Sequence, residues 1–230
     1  MPARATIAEL VAELLGTLLF VAIGAGALLV DAYTGGAIGP VGVALAHGLT
    51  LAVLVTAFAP LGGGQLNPAV TVALWLVGKM RTRYGLRLIA AQLIGAAAAG
   101  FALKFAFNGF DPGDTLYSIG AGGAPMLAYG FSTEIAVGIE ATLTALLVFA
   151  ALLATVDRRA PKMGGFFVGL AYAAATLVGG PLTGGAMNPA RWYGTALAYG
   201  DLSAALVYVA GPLIGATVAA LLVRYLFSER

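Results

Sequence analysis

The sequence predicts an all-α membrane protein: six transmembrane helices and two re-entrant half-helices arranged as an inverted repeat. Three observations predict it. Hydrophobic residues make up 60% of the 230-residue chain and charged residues only 10%, with a mean hydropathy of +0.95. That is too little charge to cover a soluble domain of this length. Six apolar stretches are long enough to cross a hydrocarbon core. One short stretch is written twice: Gly63-Gly64-Gln65-Leu66-Asn67-Pro68-Ala69 returns as Gly184-Gly185-Ala186-Met187-Asn188-Pro189-Ala190, the two Asn lying 121 positions apart (67 to 188).

The first span is predicted from about Ile7 to Val30, with Glu9 and Glu13 near its start. Met1 to Ile7 is too short for a separate cleavable signal, so this span is expected to stay. After the Gly-rich loop Asp31 to Gly39, a second span covers Pro40 to Pro60 and carries the single histidine, His47. The first half-helix follows, then the basic cluster Lys79, Arg81, Arg83 and Arg87. A third span, Tyr84 to Phe107, ends in the turn-rich, acidic stretch Asn108 to Asp114. The fourth span runs from Phe131 to Thr155 and the fifth from Gly164 to Pro181, with the basic turn Asp157 to Lys162 between them. The second half-helix and a sixth span, Asp201 to Phe227, complete a single domain over 1–230. Its repeats are expected at 1–112 and 125–230, because Glu13-x-x-x-Thr17 is echoed by Glu140-x-x-x-Thr144 and Leu93-Ile94-Gly95-Ala96 by Leu213-Ile214-Gly215-Ala216. With three spans in each half, the second half stands upside down relative to the first.

Each duplicated stretch reads as loose backbone running into a short helix. The glycines let the chain run extended and close to passing molecules. Asn occupies the N-cap, and Pro, with its fixed φ, takes the first helical position. The apolar runs that follow, Ala69 to Leu76 and Ala190 to Ala198, give helices of roughly 15 Å, about half of a hydrocarbon core. Bare backbone at that depth is tolerated where it lines a wet cavity. Two such helices entering from opposite faces would meet N-terminus to N-terminus, with Asn67 and Asn188 facing each other. Two positive dipole ends at one point repel cations, hydronium included. Asn amides would then serve as donors in the middle, with the backbone carbonyls of Gly63, Gly64, Gln65, Gly184 and Ala186 as acceptors leading both ways. That arrangement suits a small neutral molecule such as water. Arg191, carried to membrane depth directly after Ala190, marks a functional position by its cost alone.

The basic residues set the orientation. Arg4, the Lys79 to Arg87 cluster, Arg158, Arg159, Lys162, Arg224 and Arg230 fall on one side if the half-helices re-enter without crossing. By the positive-inside rule both termini then face the cytoplasm of a multi-pass protein, and the short loops and tails suggest the cell membrane. Lys104, near the outer end of the third span, is the exception and is expected to snorkel.

Two Asn-Pro-Ala motifs on an inverted repeat, the second continuing into Arg191, resemble the aquaporin (major intrinsic protein) family. The likeness covers nearly the whole chain and includes Glu13, Glu140, Gln92 and the run Ala44-Leu45-Ala46-His47-Gly48-Leu49-Thr50. The resemblance implies a homotetramer with a pore in each subunit, built on Asn67, Pro68, Ala69, Asn188, Pro189 and Ala190. It also implies a selectivity constriction near the outer mouth, which by position comprises His47, Thr176, Gly185 and Arg191. The strict water-channel pattern has Phe where this chain has His47, as in plant vacuolar-type members, and His where it has Thr176. A somewhat wider, more polar opening is expected. Glycerol-conducting members carry an Asp after the Arg and a basic residue four further on; here Trp192 and Ala196 stand there. Water is therefore the expected permeant, with ammonia or hydrogen peroxide as possible extras and a broader glycerol facilitator as the alternative. Glu13 and Glu140 are expected to hold loop N–H groups near the half-helices, a structural role.

Other classes find less support in these residues. A coupled transporter would show a carboxylate at mid-span, and no Asp or Glu stands close in sequence to either Asn. One His and no Cys leave no nucleophile–base pair, no metal site and no cofactor site, so an enzyme is not expected. A net charge of +2 gives no reason to expect a nucleic-acid partner. The expected partners are water, small neutral solutes and the lipid bilayer.

Overall fold

In the computed structural model, residues 6–61, 64–108, 117, 120–156 and 163–227 are described; Gly63, Arg4, Arg158, Arg159, Lys162 and Arg230 lie outside them. The helices are α1 (Ile7–Tyr33), α2 (Gly39–Phe58), α3 (Pro68–Leu76), α4 (Thr82–Asn108), α5 (Thr133–Ala151), α6 (Gly164–Thr183), α7 (Pro189–Tyr199) and α8 (Gly211–Leu222). Among the described residues six helical segments are long and apolar enough to cross a membrane, while α3 and α7 are the two half-helices.

The helix starts follow from local chemistry. Thr6 caps α1, its side chain accepting from Glu9 N (3.2 Å) while the Glu9 carboxylate accepts from Thr6 N, a capping box. Glu9 also accepts from Tyr84 OH at 2.9 Å, which ties α1 to α4. Asp31 accepts from Ile38 N and Gly39 N at the start of α2 (2.9 and 2.8 Å). The last span begins at Leu206 rather than at Asp201, because Asp201 instead accepts from Ser203 N in a local turn (2.8 Å). This span enters and leaves α8 through π-helical turns, Leu206–Ala210 and Val223–Phe227.

Packing repeats across the two halves. α1 lies against α4 and α5 against α8, while α2 and α6 pack against each other across the two halves. A Cβ on Gly95 would lie 2.2 Å from Leu14 O, and one on Gly215 would lie 2.0 Å from Ala141 O, so both helix pairs need glycine to touch. Each half-helix packs against a span of the other half, α3 on α8 and α7 on α4. Their C-terminal ends are capped in the same crossed fashion: Arg224 Nη1 donates to Leu76 O and Lys104 Nζ to Ala198 O, both at 2.8 Å. Lys104 thus binds a helix end.

Candidate functional site

The site begins with two N-caps. Asn67 and Asn188 have extended backbones, and each Oδ1 accepts from its own half-helix, from Ala69 N and Ala190 N at 2.9 Å. Their amide groups then cross over. Asn67 Nδ2 donates to Met187 O (2.9 Å) and Asn188 Nδ2 donates to Leu66 O (2.8 Å). The N-termini of α3 and α7 therefore meet head to head, and one N–H of each amide is left over from these bonds. To offer those carbonyls, Leu66 and Met187 adopt φ of 54° and 49°, a left-handed conformation that costs a non-glycine residue about 1–3 kcal/mol.

Two carboxylates hold the strained loops. Glu13 accepts from Gln65 N and Leu66 N, both at 2.8 Å, and from Gln92 Nε2 at 2.6 Å. Glu140 accepts from Ala186 N (2.9 Å), Met187 N (2.7 Å) and Thr183 Oγ1 (2.7 Å). Both side chains are fully buried, so each N–H they satisfy would otherwise be stranded.

A cavity of about 200 Å³ opens beside the paired Asn, lined by Gly64, Gln65, Asn67 and Asn188 and walled by apolar side chains such as Leu51, Val55 and Val168. On the far side of Tyr172 lie His47 and Arg191. Arg191 Nε donates to His47 Nε2 at 2.9 Å, and His47 Nδ1 lies 2.9 Å from Val43 O. The imidazole donates through Nδ1 to a carbonyl and accepts through Nε2, so it is the neutral Nδ1–H tautomer. The guanidinium is thus bound to an uncharged ring, and its charge is not cancelled by that contact. Gly24 makes room for the ring, since a Cβ there would lie 2.4 Å from His47 Cδ2. Thr176 backs onto Gly185, whose Cβ position is 3.4 Å from Thr176 Cα. Thr176 Oγ1 and Arg191 Nη1 are both buried without a hydrogen-bond partner among the described residues. Such orphaned groups are the kind that water satisfies.

A sequence profile described as Major intrinsic protein matches residues 3–223. The chain belongs to the major intrinsic protein family. Similar sequences include Aquaporin TIP4-4 of Zea mays, 38% identical over 223 residues that cover 94% of this chain and 85% of that protein. Aquaporin TIP2-1 of Arabidopsis thaliana is 35% identical over 231 residues, covering 97% and 88%. Among solved structures, the aquaglyceroporin from Plasmodium falciparum superposes with a TM-score of 0.85 at 24% identity, covering 96% of each chain; this last likeness is one of fold.

In this major intrinsic protein the loop backbone differs from the extended acceptor run expected from sequence. Gly184 ends α6 as a left-handed cap, and Gly185 also has a positive φ (77° and 55°). The Ala186 carbonyl accepts from Tyr172 OH at 2.7 Å, and the carbonyls that bind the Asn amides belong to Leu66 and Met187. Gly64 and Gln65 line the cavity, with Gln65 Oε1 held by Thr71 Oγ1 at 2.6 Å. Sequence reasoning did not single out Tyr172, Leu51, Val55 or Val168. The signal was present as helical spacing: His47, Leu51 and Val55 recur every four residues along α2, as do Val168, Tyr172 and Thr176 along α6.

Proposed function

We propose that the protein is a channel, not an enzyme, for passive, osmotically driven permeation of water with exclusion of protons and ions. The observation that carries this reading is the head-to-head junction of α3 and α7, where two Asn amides cross-link the half-helices beside a cavity. Two positive helix ends converge there, and Arg191 adds a full positive charge further along, so a cation meets repulsion twice. A neutral molecule finds donors at the Asn pair and at Arg191 Nη1, and a hydroxyl at Thr176. Arg191 and Thr176, with His47 and Gly185, form the selectivity constriction in this reading.

Stopped-flow light scattering of proteoliposomes tests it. Shrinkage under sucrose much faster than in empty vesicles, with slow re-swelling in glycerol, is the expected result. Fast glycerol re-swelling would favour the broader facilitator of small neutral solutes, and no acceleration of either would overturn the channel reading. Ammonia and hydrogen peroxide are decided by the same vesicles loaded with suitable dyes.

The chain is a multi-pass membrane protein. We place it in the cell membrane as a homotetramer with both termini cytoplasmic. Protease added to intact cells should spare the 79–87 loop, and cleavage there from outside would reverse the orientation. A detergent-solubilised particle carrying one chain in place of four would remove the tetramer.

A further inference from the structure

We infer that the ring of Tyr172 is a fifth wall of the selectivity constriction, setting the solute size limit together with His47, Thr176, Gly185 and Arg191. The inference rests on the channel reading above and adds a residue to it. Tyr172 lies four residues, about one turn, before Thr176 on α6, displaced about 6 Å along the axis towards the paired Asn. It lines the same cavity as Asn67 and Asn188. Its ring stacks on His47, with centroids 5.8 Å apart and planes at 11°. Phe20 meets it edge-on at 5.2 Å and 85°. The hydroxyl donates to Ala186 O, two residues before Asn188.

These contacts fix the ring at three points: the stacked imidazole, the Phe20 edge and the loop carbonyl. A phenol held in this way cannot swing aside as a solute arrives. It narrows the passage between His47 and the Asn pair, and it also withdraws the Ala186 carbonyl as an acceptor for passing molecules. An aliphatic residue at this position would leave both the width and the carbonyl free. Size selection therefore continues one turn beyond Thr176, which offsets the small side chains of Thr176 and Gly185.

The test compares wild type with Tyr172→Val, Tyr172→Leu and Tyr172→Phe in proteoliposomes, reading glycerol and water permeability for each. Monodispersity and thermal melting show which variants fold. Tyr172→Val or Tyr172→Leu should raise the glycerol-to-water permeability ratio by about tenfold or more, the low end of what one pocket group contributes to discrimination. Tyr172→Phe keeps the ring and frees the carbonyl, so its ratio should stay within about twofold of wild type. A wild-type ratio in folded Tyr172→Val and Tyr172→Leu would overturn the inference, as would a rise in Tyr172→Phe equal to theirs. If the ring only braced the core, the aliphatic variants would lose stability and leave the ratio unchanged. Wild-type shrinkage under sucrose tests the channel reading separately, because it involves no change at Tyr172.

Discussion

At the scale of single residues, the bond from Arg191 Nε to His47 Nε2 (2.9 Å) makes each side chain the other's support. Removing both, with Arg191→Val and His47→Ala, deletes the charge and opens the lumen between Gly24 and Tyr172. The expected outcome is entry of larger neutral solutes and a proton leak, read in liposomes by solute re-swelling and an entrapped pH dye; unchanged selectivity would remove both residues from the constriction. Glu140 invites a different substitution. Its carboxylate accepts three hydrogen bonds through two oxygens, whereas a Gln amide offers one oxygen and sets an NH₂ against a backbone donor. Glu140→Gln should therefore cost about 1–3 kcal/mol, seen as a lower melting temperature and a poorer yield of folded protein. Glu13 and Glu140 were legible in the sequence because they sit in duplicated patterns. Tyr172 was not, because nothing in the first half repeats it and its spacing from Thr176 has meaning only once Thr176 has been placed.

At the scale of elements, the half-helices have four ends to satisfy, and the sequence displayed only two of them. The Asn-Pro pairs announce the N-termini. The C-termini are capped from a distance, by Arg224 on Leu76 O and Lys104 on Ala198 O. The separation in sequence, 148 residues in one case and 94 in the other, hides the partnership. A cation at the last turn opposes the negative helix end, so Lys104→Met and Arg224→Met should each destabilise by about 0.3–1 kcal/mol. Thermal melting of the single and double variants would measure this, with near-additive losses expected for sites at opposite ends of the molecule. A melting curve unmoved by either change would show that the contacts are incidental. The same remoteness explains why the sequence gives no sign that Lys104 caps a helix: its partner carbonyl lies in another element.

At the scale of the whole molecule, the six spans and two half-helices were legible because apolar length and a duplicated motif are local signals. The interlocking of the halves was not local. α3 rests on α8 and α7 rests on α4, so each half-helix is held by a span from the other repeat, and the Asn amides tie Leu66 to Met187 across the same boundary. A half made alone would lose the wall that the other repeat gives its half-helix and the Asn amide that its loop carbonyl accepts from, in a medium that supplies neither. Fragments 1–112 and 113–230 expressed separately should therefore fail to yield folded protein. Co-expressed, they should associate and recover osmotic water flow, since the cut falls between the repeats and the crossed contacts can still form. Co-purification of the fragments, followed by sucrose shrinkage of vesicles containing both, reads this directly. A stable single fragment would mean that the crossed packing is dispensable. Failure of the pair to associate would mean instead that the covalent link between the repeats is required for the halves to meet.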